Sequence, residues 1–267
     1  MAVTFEPHPI RILRPDANFK LLTPTPEKLR LLCASGVDAV LLLPFTRDLS
    51  LLTPHQFAHD ILKKRLQARE VHEGYNFHFG HKAAGDVNVL TELGRELGFE
   101  VKVYPEMRLR GEPVSSSHIR KLLAAGRVSR ARHLLGRPFA ILSTPGRGRG
   151  YGSRYTVPTI NLSRYDELVP GDGVYIARTR VGQECFDSVT NIGKRPTFGD
   201  ELFAVETHLL DFHPLELTPE TEVELHFLDR LRDEIKFPSV EGLKQQIGRD
   251  VKKAQRYFQL AKRRSDK

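Results

Sequence analysis

The sequence predicts an α/β domain followed by a small antiparallel β barrel with a C-terminal helix. In the first half, helix signals alternate with short apolar runs, which indicates βαβ units and a parallel sheet. From about residue 139, short β-branched and aromatic runs alternate with turns rich in Gly, Pro and Asp, the spacing of a small barrel or sandwich. We therefore predict two domains, residues 1–138 and residues 139–267.

The elements of the first half are predicted from their caps and apolar runs. Thr25 is a suitable N-cap, with Pro26 at the first helical position, for a helix that runs toward Gly36. Thr53 is placed to cap a second helix that ends near Leu66. The other elements predicted here are strands at 40–43 and 99–104 and helices at 87–97 and 117–125.

The elements of the second half are mostly strands. Strands are predicted at 174–177, 186–189, 204–210 and 222–227. Ser239 is a suitable N-cap for a last helix over residues 240–262. Apolar residues recur in this helix every three or four positions, so one face packs on the domain; they are Leu243, Ile247, Val251, Ala254 and Phe258.

Composition narrows the class of protein and of partner. The chain has 267 residues with a formal net charge of +8, which suits an anionic partner: nucleic acid, a membrane surface or a phosphorylated small molecule. It has no Trp and no basic stripe interleaved with aromatic residues, so we expect no nucleic-acid partner. With no membrane-length apolar run, no secretory signal and only two cysteines, we expect a cytoplasmic protein that does not contact a membrane. The sequence does not indicate the oligomeric state.

Residues 145–154, PGRGRGYGSR, form a loop in which glycines alternate with arginines. Glycines such as Gly148 and Gly152 let backbone N–H groups approach phosphate oxygens, and arginines add charged contacts. The alternative is a surface turn without a ligand. The loop is neither a Walker A motif nor a dinucleotide fingerprint, because no Gly-Lys-Ser/Thr and no opening helix follow.

Two later segments carry polar groups on strand-like runs. Pro158-Thr159-Ile160-Asn161 places a hydroxyl and an amide beside a proline, which is either a strand starting at a bend or a built site. In a strand, Glu206 and His208 share one face because side chains alternate. The alternative is that Asn161 and Glu206 are solvated at an edge or on an open face of the sheet, and that His208 is an ordinary surface or core histidine.

Taken in order, these segments resemble the riboflavin kinase module of the bacterial bifunctional riboflavin kinase/FMN adenylyltransferase family. The resemblance covers residues from about 139 to 258 and depends on the joint order of the segments rather than on any one of them. The matching segments are the glycine loop, Pro158-Thr159-Ile160-Asn161, Gly173-Val174-Tyr175, residues 191–199, residues 205–212, and Phe227-Leu228 with Leu231-Arg232.

The resemblance implies roles for these residues in phosphoryl transfer from ATP to riboflavin. By this resemblance, Thr159 and Asn161 would bind Mg²⁺ and ATP, with Thr159 as the metal ligand, and Gly148 and Gly152 would lie in the ATP loop. Glu206 would act as the base on the ribityl 5′-hydroxyl, and FMN would be the product. The implied flavin-binding residues are Asn191, Gly193, Arg195, Pro196 and Thr197.

The first half resembles the family's FMN adenylyltransferase module. Residues 4–9, 74–80 with Gly85-Asp86, and 114–120 carry this match. The histidines at 72, 78 and 81 could suggest zinc, but the match to a flavin-site loop and the lack of a nearby cysteine argue against a metal. The residues implied for a nucleotide and flavin site are Gly74, Asn76, Phe77, Phe79, Ser115, Ser116, Ser117 and Arg120.

The family's module opens with a strand, a loop with a His-x-Gly-His nucleotide motif, and a helix. We expect this chain to lack that opening unit, through truncation, a misplaced start or degeneration, with Gly80-His81 as the nearest echo in another segment. The predicted function is therefore riboflavin kinase, with FAD synthesis doubtful. The alternatives are retained FMN adenylyltransferase activity and a flavin- or nucleotide-binding protein without catalysis.

Overall fold

The structure is a computed structural model that describes residues 1–146, 159–195, 202–213, 215, 217–235 and 237–265. The chain divides into two compact units, Met1–Pro113 and Val114–Lys267. Among the described residues, no helix combines the length and the apolar character needed to cross a bilayer.

Unit 1 is built from short strands and helices in alternation. Two parallel pairs, β1 with β2 and β3 with β4, and one antiparallel pair, β5 with β6, make up its strands. The elements in chain order are β1 (Ala2–Glu6), α1 (Pro9–Leu13), α2 (Thr25–Ala34), β2 (Val40–Pro44), α3 (Arg47–Leu51), α4 (Pro54–Gln56), a π-helix (Phe57–Arg65), β3 (Glu70–Gly74), a 3₁₀ turn (His81–Ala83), α5 (Val87–Leu97), β4 (Glu100–Tyr104), β5 (Arg108–Leu109) and β6 (Glu112–Pro113).

Of the two helix caps predicted in unit 1, one is confirmed and one is wrong. Thr53 and Gln56 form a capping box at the start of α4, and the chain then continues as a π-helix to Arg65. The predicted cap at Thr25 is wrong. Pro24 is the N-cap of α2, and the Thr25 hydroxyl instead donates a hydrogen bond to Glu6. The Thr25 hydroxyl, which the sequence predicts as a helix cap, thus bonds to the Glu6 side chain at the end of β1.

The sequence predicts one parallel sheet, but within the described residues of unit 1 the parallel strands form two separate two-stranded ladders. The buried core of this unit lies between the π-helix, α5 and β4, and it includes Leu62, Leu90 and Phe99. No residue of β1 or β2 is fully buried, and Val3 and Leu42 are among the exposed large apolar side chains. The buried apolar cluster of unit 1 therefore lies beside the β3–β4 ladder, while the strands of the β1–β2 ladder have no fully buried residue.

Unit 2 contains two helices, a six-stranded antiparallel sheet and a long last helix, which confirms the predicted barrel with a C-terminal helix. The strand order is β7-β12-β9-β10-β11-β8. The elements are α6 (Ser116–Ala124), α7 (Val128–Leu135), β7 (Phe139–Ser143), β8 (Thr159–Asn161), β9 (Gly173–Val181), β10 (Glu184–Arg195), β11 (Leu202–Leu209), β12 (Val223–Arg232) and α8 (Val240–Ser265).

The two outer strands of this sheet meet at one end and close it into a barrel. The Gly146 N–H donates to the Asn161 carbonyl at 2.8 Å, and the Ser163 N–H donates to the Thr144 carbonyl at 2.8 Å. These bonds join the chain just after β7 to the chain around β8. Closure satisfies backbone groups that an open sheet would leave at its edges.

The helices α6 and α7 pack with the barrel. The Gly171 N–H donates to the Leu123 carbonyl at the end of α6, and α7 lies against β12 and β7. The compact units thus divide after Pro113. The domain boundary predicted between residues 138 and 139, from the change in sequence pattern there, stays a prediction.

The last helix is fastened to the barrel by apolar contacts and one buried ion pair. Ala254 and Phe258 pack against Val174 and Ile176 of β9. Arg232 donates to the Asp250 carboxylate through Nε at 2.9 Å and lies within 2.8 Å of it through its terminal nitrogen. Asp250 is only 2% exposed, so the contact with Arg232 replaces the hydration that its carboxylate loses on burial.

We predict that Asp250→Ala lowers the free energy of unfolding of unit 2 by about 3–5 kcal/mol, because it leaves the Arg232 guanidinium buried without its partner. The measurement is chemical denaturation followed by circular dichroism. Asp166→Ala is the control, because its pair with Arg164 is exposed and contributes about 0–1 kcal/mol. Equal effects of the two substitutions would contradict the structural role of Asp250.

Candidate active site

Three neighbouring strands bring three predicted site residues into one row. In the antiparallel register, Asn161 of β8 lies directly opposite Glu206 of β11, and Glu206 lies opposite Asn191 of β10. Directly opposite residues have Cβ atoms about 4.5–5.5 Å apart and point to the same face of the sheet. The Glu206 carboxylate is therefore flanked by two amide side chains.

A second row lies next to the first on the same face. Thr159 pairs with His208, and His208 pairs with Val189. Because side chains alternate with a period of two, Thr159 shares the face of Asn161, and His208 shares that of Glu206. Burial lowers the pKa of His208, which favours a neutral imidazole beside the Thr159 hydroxyl.

The face that carries these rows is the one that α8 partly covers. Val189 belongs to the apolar cluster that includes Val174 and Phe258. Thr159 and Asn161 are half-buried, and so is the Glu206 side chain. The polar row thus lies beside a dry apolar surface, an environment in which charged contacts are stronger than in water.

A buried hydroxyl network lies on the opposite face of the same strands, behind Glu206. The Thr207 hydroxyl bonds to that of Thr190 at 2.9 Å and to that of Thr179 at 3.1 Å, and Thr179 bonds to Ser188 at 2.8 Å. All four side chains are fully buried. Because the bonds cross β9, β10 and β11, they hold these strands in the register that aligns Glu206 with Asn191.

Gly193 and Glu234 extend the polar face along β10. Gly193 is buried and pairs with Ala204, two residue pairs beyond the Asn191 row. The Glu234 carboxylate, which follows the end of β12, lies against the Gly193 backbone. The sequence motif contained Gly193 but gave no reason to link it with Glu234, because Glu234 follows β12, a strand that does not pair with β10.

Four predicted residues lie outside the described residues: Gly148, Gly152, Pro196 and Thr197. Their roles stay predictions. Arg195 is the last residue of β10, and its backbone pairs with that of Leu202.

The predicted adenylyltransferase residues fall into both units. In unit 1, Gly74 ends β3, Asn76 is exposed, and Phe77 stacks on Phe79 with ring centroids 5.5 Å apart. Phe79 is 7% exposed and packs into the core with Leu90. Phe79 therefore has a structural role in the core of unit 1.

The serine segment lies at the start of α6 in unit 2. The Ser115 hydroxyl accepts the His118 N–H at 3.2 Å and caps the helix, while Ser116 and Ser117 are exposed in the first turn. Burial lowers the pKa of Arg120, one turn further on. The predicted set is thus divided between two compact units.

The histidines of unit 1 face different partners. The expectation that Gly80-His81 only partly matches the His-x-Gly-His motif is wrong. Residues 78–81 have the full His-x-Gly-His spacing, and they lie after β3. The His81 ring lies 3.1 Å from the Ser50 carbonyl, and the His78 ring lies 2.9 Å from the Asn76 carbonyl. His72 lies beside Glu70 and Tyr104.

The donor set on the barrel face fits a hard cation. Thr159 offers a hydroxyl and Asn161 an amide oxygen, and Mg²⁺ prefers such oxygen ligands together with waters and phosphates. Among the described residues, no group of three or more His, Cys, Asp or Glu side chains could hold a metal ion. A metal at Thr159 would therefore need further oxygens from a ligand such as a nucleotide phosphate.

We predict that Thr207→Val destabilises unit 2 by about 1–3 kcal/mol, because the Thr190 hydroxyl loses its buried acceptor while the side-chain shape is kept. The measurement is denaturant unfolding. Thr218→Val is a control, since that threonine lies in an exposed turn. A stability equal to that of the original chain would show that the hydroxyl network does not hold the strands.

Comparison with known proteins gives two family matches. Residues 135–258 match the riboflavin kinase model, and residues 1–118 match the FAD synthetase model. A solved structure from Streptococcus pneumoniae, described as a macrolide-efflux protein, superposes with a TM-score of 0.85 at 27% identity over 95% of this chain and 82% of its own.

Curated relatives cover almost the whole chain. A bifunctional riboflavin kinase/FMN adenylyltransferase of Escherichia coli K12 is 34% identical over 98% of this chain and 83% of its own length. Proteins of the same description from Pseudomonas fluorescens and Listeria monocytogenes are 34% and 32% identical over 93% and 96% of the chain and 79% and 81% of their own lengths. These findings confirm the resemblance: the chain belongs to the bifunctional riboflavin kinase/FMN adenylyltransferase family.

Proposed function

We propose that this chain is a riboflavin kinase that transfers the γ-phosphoryl group of ATP to the 5′-hydroxyl of riboflavin in the cytoplasm. The observation that carries the proposal is the alignment of Asn161, Glu206 and Asn191 beside Thr159 on one half-buried sheet face. This face lies within the segment that matches the riboflavin kinase model.

Glu206 is the base in this proposal. A primary alcohol is a weak nucleophile until a nearby acceptor takes its proton as it attacks phosphorus. A carboxylate only accepts hydrogen bonds, so it suits a hydroxyl donor. Asn161 and Asn191 on either side offer amide groups that fix the direction of the carboxylate and of the substrate hydroxyl.

Thr159 and Asn161 are the proposed residues for Mg²⁺ and ATP. The metal, when bound, neutralises charge on the phosphate oxygens. The residues' own contribution is position, because phosphoryl transfer depends mainly on alignment and charge stabilisation. A neutral His208 opposite Thr159 adds no positive charge that would oppose a bound cation.

We expect Glu206→Gln to lower the turnover of riboflavin to FMN by about 10²–10⁴-fold, because the amide keeps the shape of the side chain but cannot take the proton. The assay separates flavins chromatographically after incubation with MgATP. Glu220→Gln, in an exposed turn of the same unit, is the control. Near-normal turnover in Glu206→Gln would exclude Glu206 as the base.

Thr159→Val should raise the Mg²⁺ concentration needed for half-maximal rate and lower the rate at saturation, because it removes one proposed oxygen ligand. Thr159→Ser is the matched control, since it keeps the hydroxyl and should retain most of the activity. Both variants should keep the far-ultraviolet circular dichroism of the original chain. Unchanged Mg²⁺ dependence in Thr159→Val would rule out the ligand role.

FMN adenylyltransferase activity is the second candidate, because residues 1–118 match the FAD synthetase model. We propose that it is absent or very slow in this chain of 267 residues. Two observations support this view. The His-x-Gly-His spacing at His78–His81 follows β3, where the His81 ring is directed to the Ser50 carbonyl, and the parallel strands form two separate ladders within the described residues.

We therefore predict that the purified chain, given FMN and MgATP, forms no measurable FAD while it converts riboflavin to FMN. Charged contacts to phosphates contribute several kcal/mol in a closed site, so their loss slows transfer by orders of magnitude. The reaction is followed by the same separation of flavins. FAD formation at a rate comparable to FMN formation would establish that other residues bind the ATP phosphates.

A further inference from the structure

Steric contact, and not backbone conformation, requires a glycine at position 193 of β10. Its φ lies outside the left-handed region, so the backbone there does not need glycine for conformation. A Cβ placed on Gly193 would lie 2.2 Å from Oε1 and 2.6 Å from Cδ of Glu234. The carboxylate of Glu234 thus occupies the volume that any larger residue at position 193 would fill.

The position of this carboxylate follows from the register. Gly193 and Asn191 are two residues apart in β10, so a Cβ at either points to the same face. Glu234 therefore lies on the face that carries the Asn161–Glu206–Asn191 row. It is displaced from that row by two residues of strand, about 7 Å along β10.

The two charged residues that precede Glu234 in the chain are engaged with other residues. Asp233 lies 2.9 Å from Arg230, and Arg232 is bound to Asp250. Glu234 is exposed, and in the part of the chain that the structure describes no hydrogen bond or ion pair joins its carboxylate to another residue. The carboxylate is held in place by packing against Gly193 while its oxygens retain the capacity to accept hydrogen bonds.

We propose that Glu234 binds riboflavin by accepting hydrogen bonds from the hydroxyls of its ribityl chain, an inference that rests on the proposed kinase function. With the 5′-hydroxyl at Glu206, an extended five-carbon chain running toward Gly193 covers about the 7 Å that separates the two carboxylates along the strand. Hydroxyls are donors, and a carboxylate is an acceptor only. Glu206 then accepts the proton of the reacting hydroxyl, and Glu234 accepts hydrogen bonds from the hydroxyls that position the ribityl chain.

The test measures flavin binding to the full chain by fluorescence quenching, with riboflavin and with lumiflavin, which has the same ring system but no ribityl chain. Glu234→Ala should weaken riboflavin binding about 10- to 100-fold, the effect of losing a hydrogen bond to a charged group. Lumiflavin binding should stay unchanged. Asp233→Ala is the matched control and should leave riboflavin affinity within about twofold, since its exposed ion pair contributes little.

A second variant checks the contact with the strand. Gly193→Ala should displace the carboxylate and weaken riboflavin binding as much as Glu234→Ala does. The double variant should be no weaker than either single one, because both remove the same interaction. Glu234→Ala keeps the test decisive if Gly193→Ala misfolds, since its exposed side chain can be removed without opening the barrel.

Three results would overturn the proposal: unchanged riboflavin affinity in Glu234→Ala, an equal loss of lumiflavin affinity, or an altered Mg²⁺ dependence with normal riboflavin affinity. The failure of the kinase proposal is recognised separately. An original chain that binds riboflavin but forms no FMN would refute the kinase proposal, while the effect of Glu234→Ala on binding would still decide the role of Glu234.

Discussion

The candidate site depends on the register of three antiparallel strands. Asn161, Glu206 and Asn191 come from different parts of the sequence, and they meet only because β8, β11 and β10 pair in one alignment. A slip of one residue would move the Glu206 side chain to the opposite face of the sheet. The hydroxyls of Thr179, Ser188, Thr190 and Thr207 oppose such a slip, because a shifted strand would bury them without partners.

The two faces of these strands divide the work between stability and chemistry. On the inner face, four buried hydroxyls bond to one another, and apolar residues such as Ile160 and Leu209 surround them. On the outer face, apolar residues of β9 and β10 are buried against Ala254 and Phe258 of α8, and the polar residues of the candidate site lie next to them. A site at this border has a rigid base and remains open to substrates, and this combination favours positioning over motion.

Sequence reasoning was most reliable where local chemistry decides the structure. Ser239, Thr53 and the alternation around Glu206 all lie where predicted, because caps and strand periodicity act over a few residues. It failed at Thr25, whose hydroxyl is bonded to Glu6 on a separate strand. The contact of Glu234 with Gly193 and the packing of Phe79 into the core likewise join residues far apart in sequence, and no local pattern indicates them.

The backbone bonds that close the barrel also fix both ends of the glycine-rich segment 147–158. Gly146 is held by the Asn161 carbonyl, and the chain re-enters the sheet at Thr159. The closure entropy of a loop whose ends are already joined grows only slowly with its length, by about 0.6 kcal/mol per doubling. Insertions and composition changes between these ends are therefore tolerated by the barrel. The two β8 residues proposed for Mg²⁺ and ATP, Thr159 and Asn161, keep their place in the sheet because their own ladder bonds to β11 hold them.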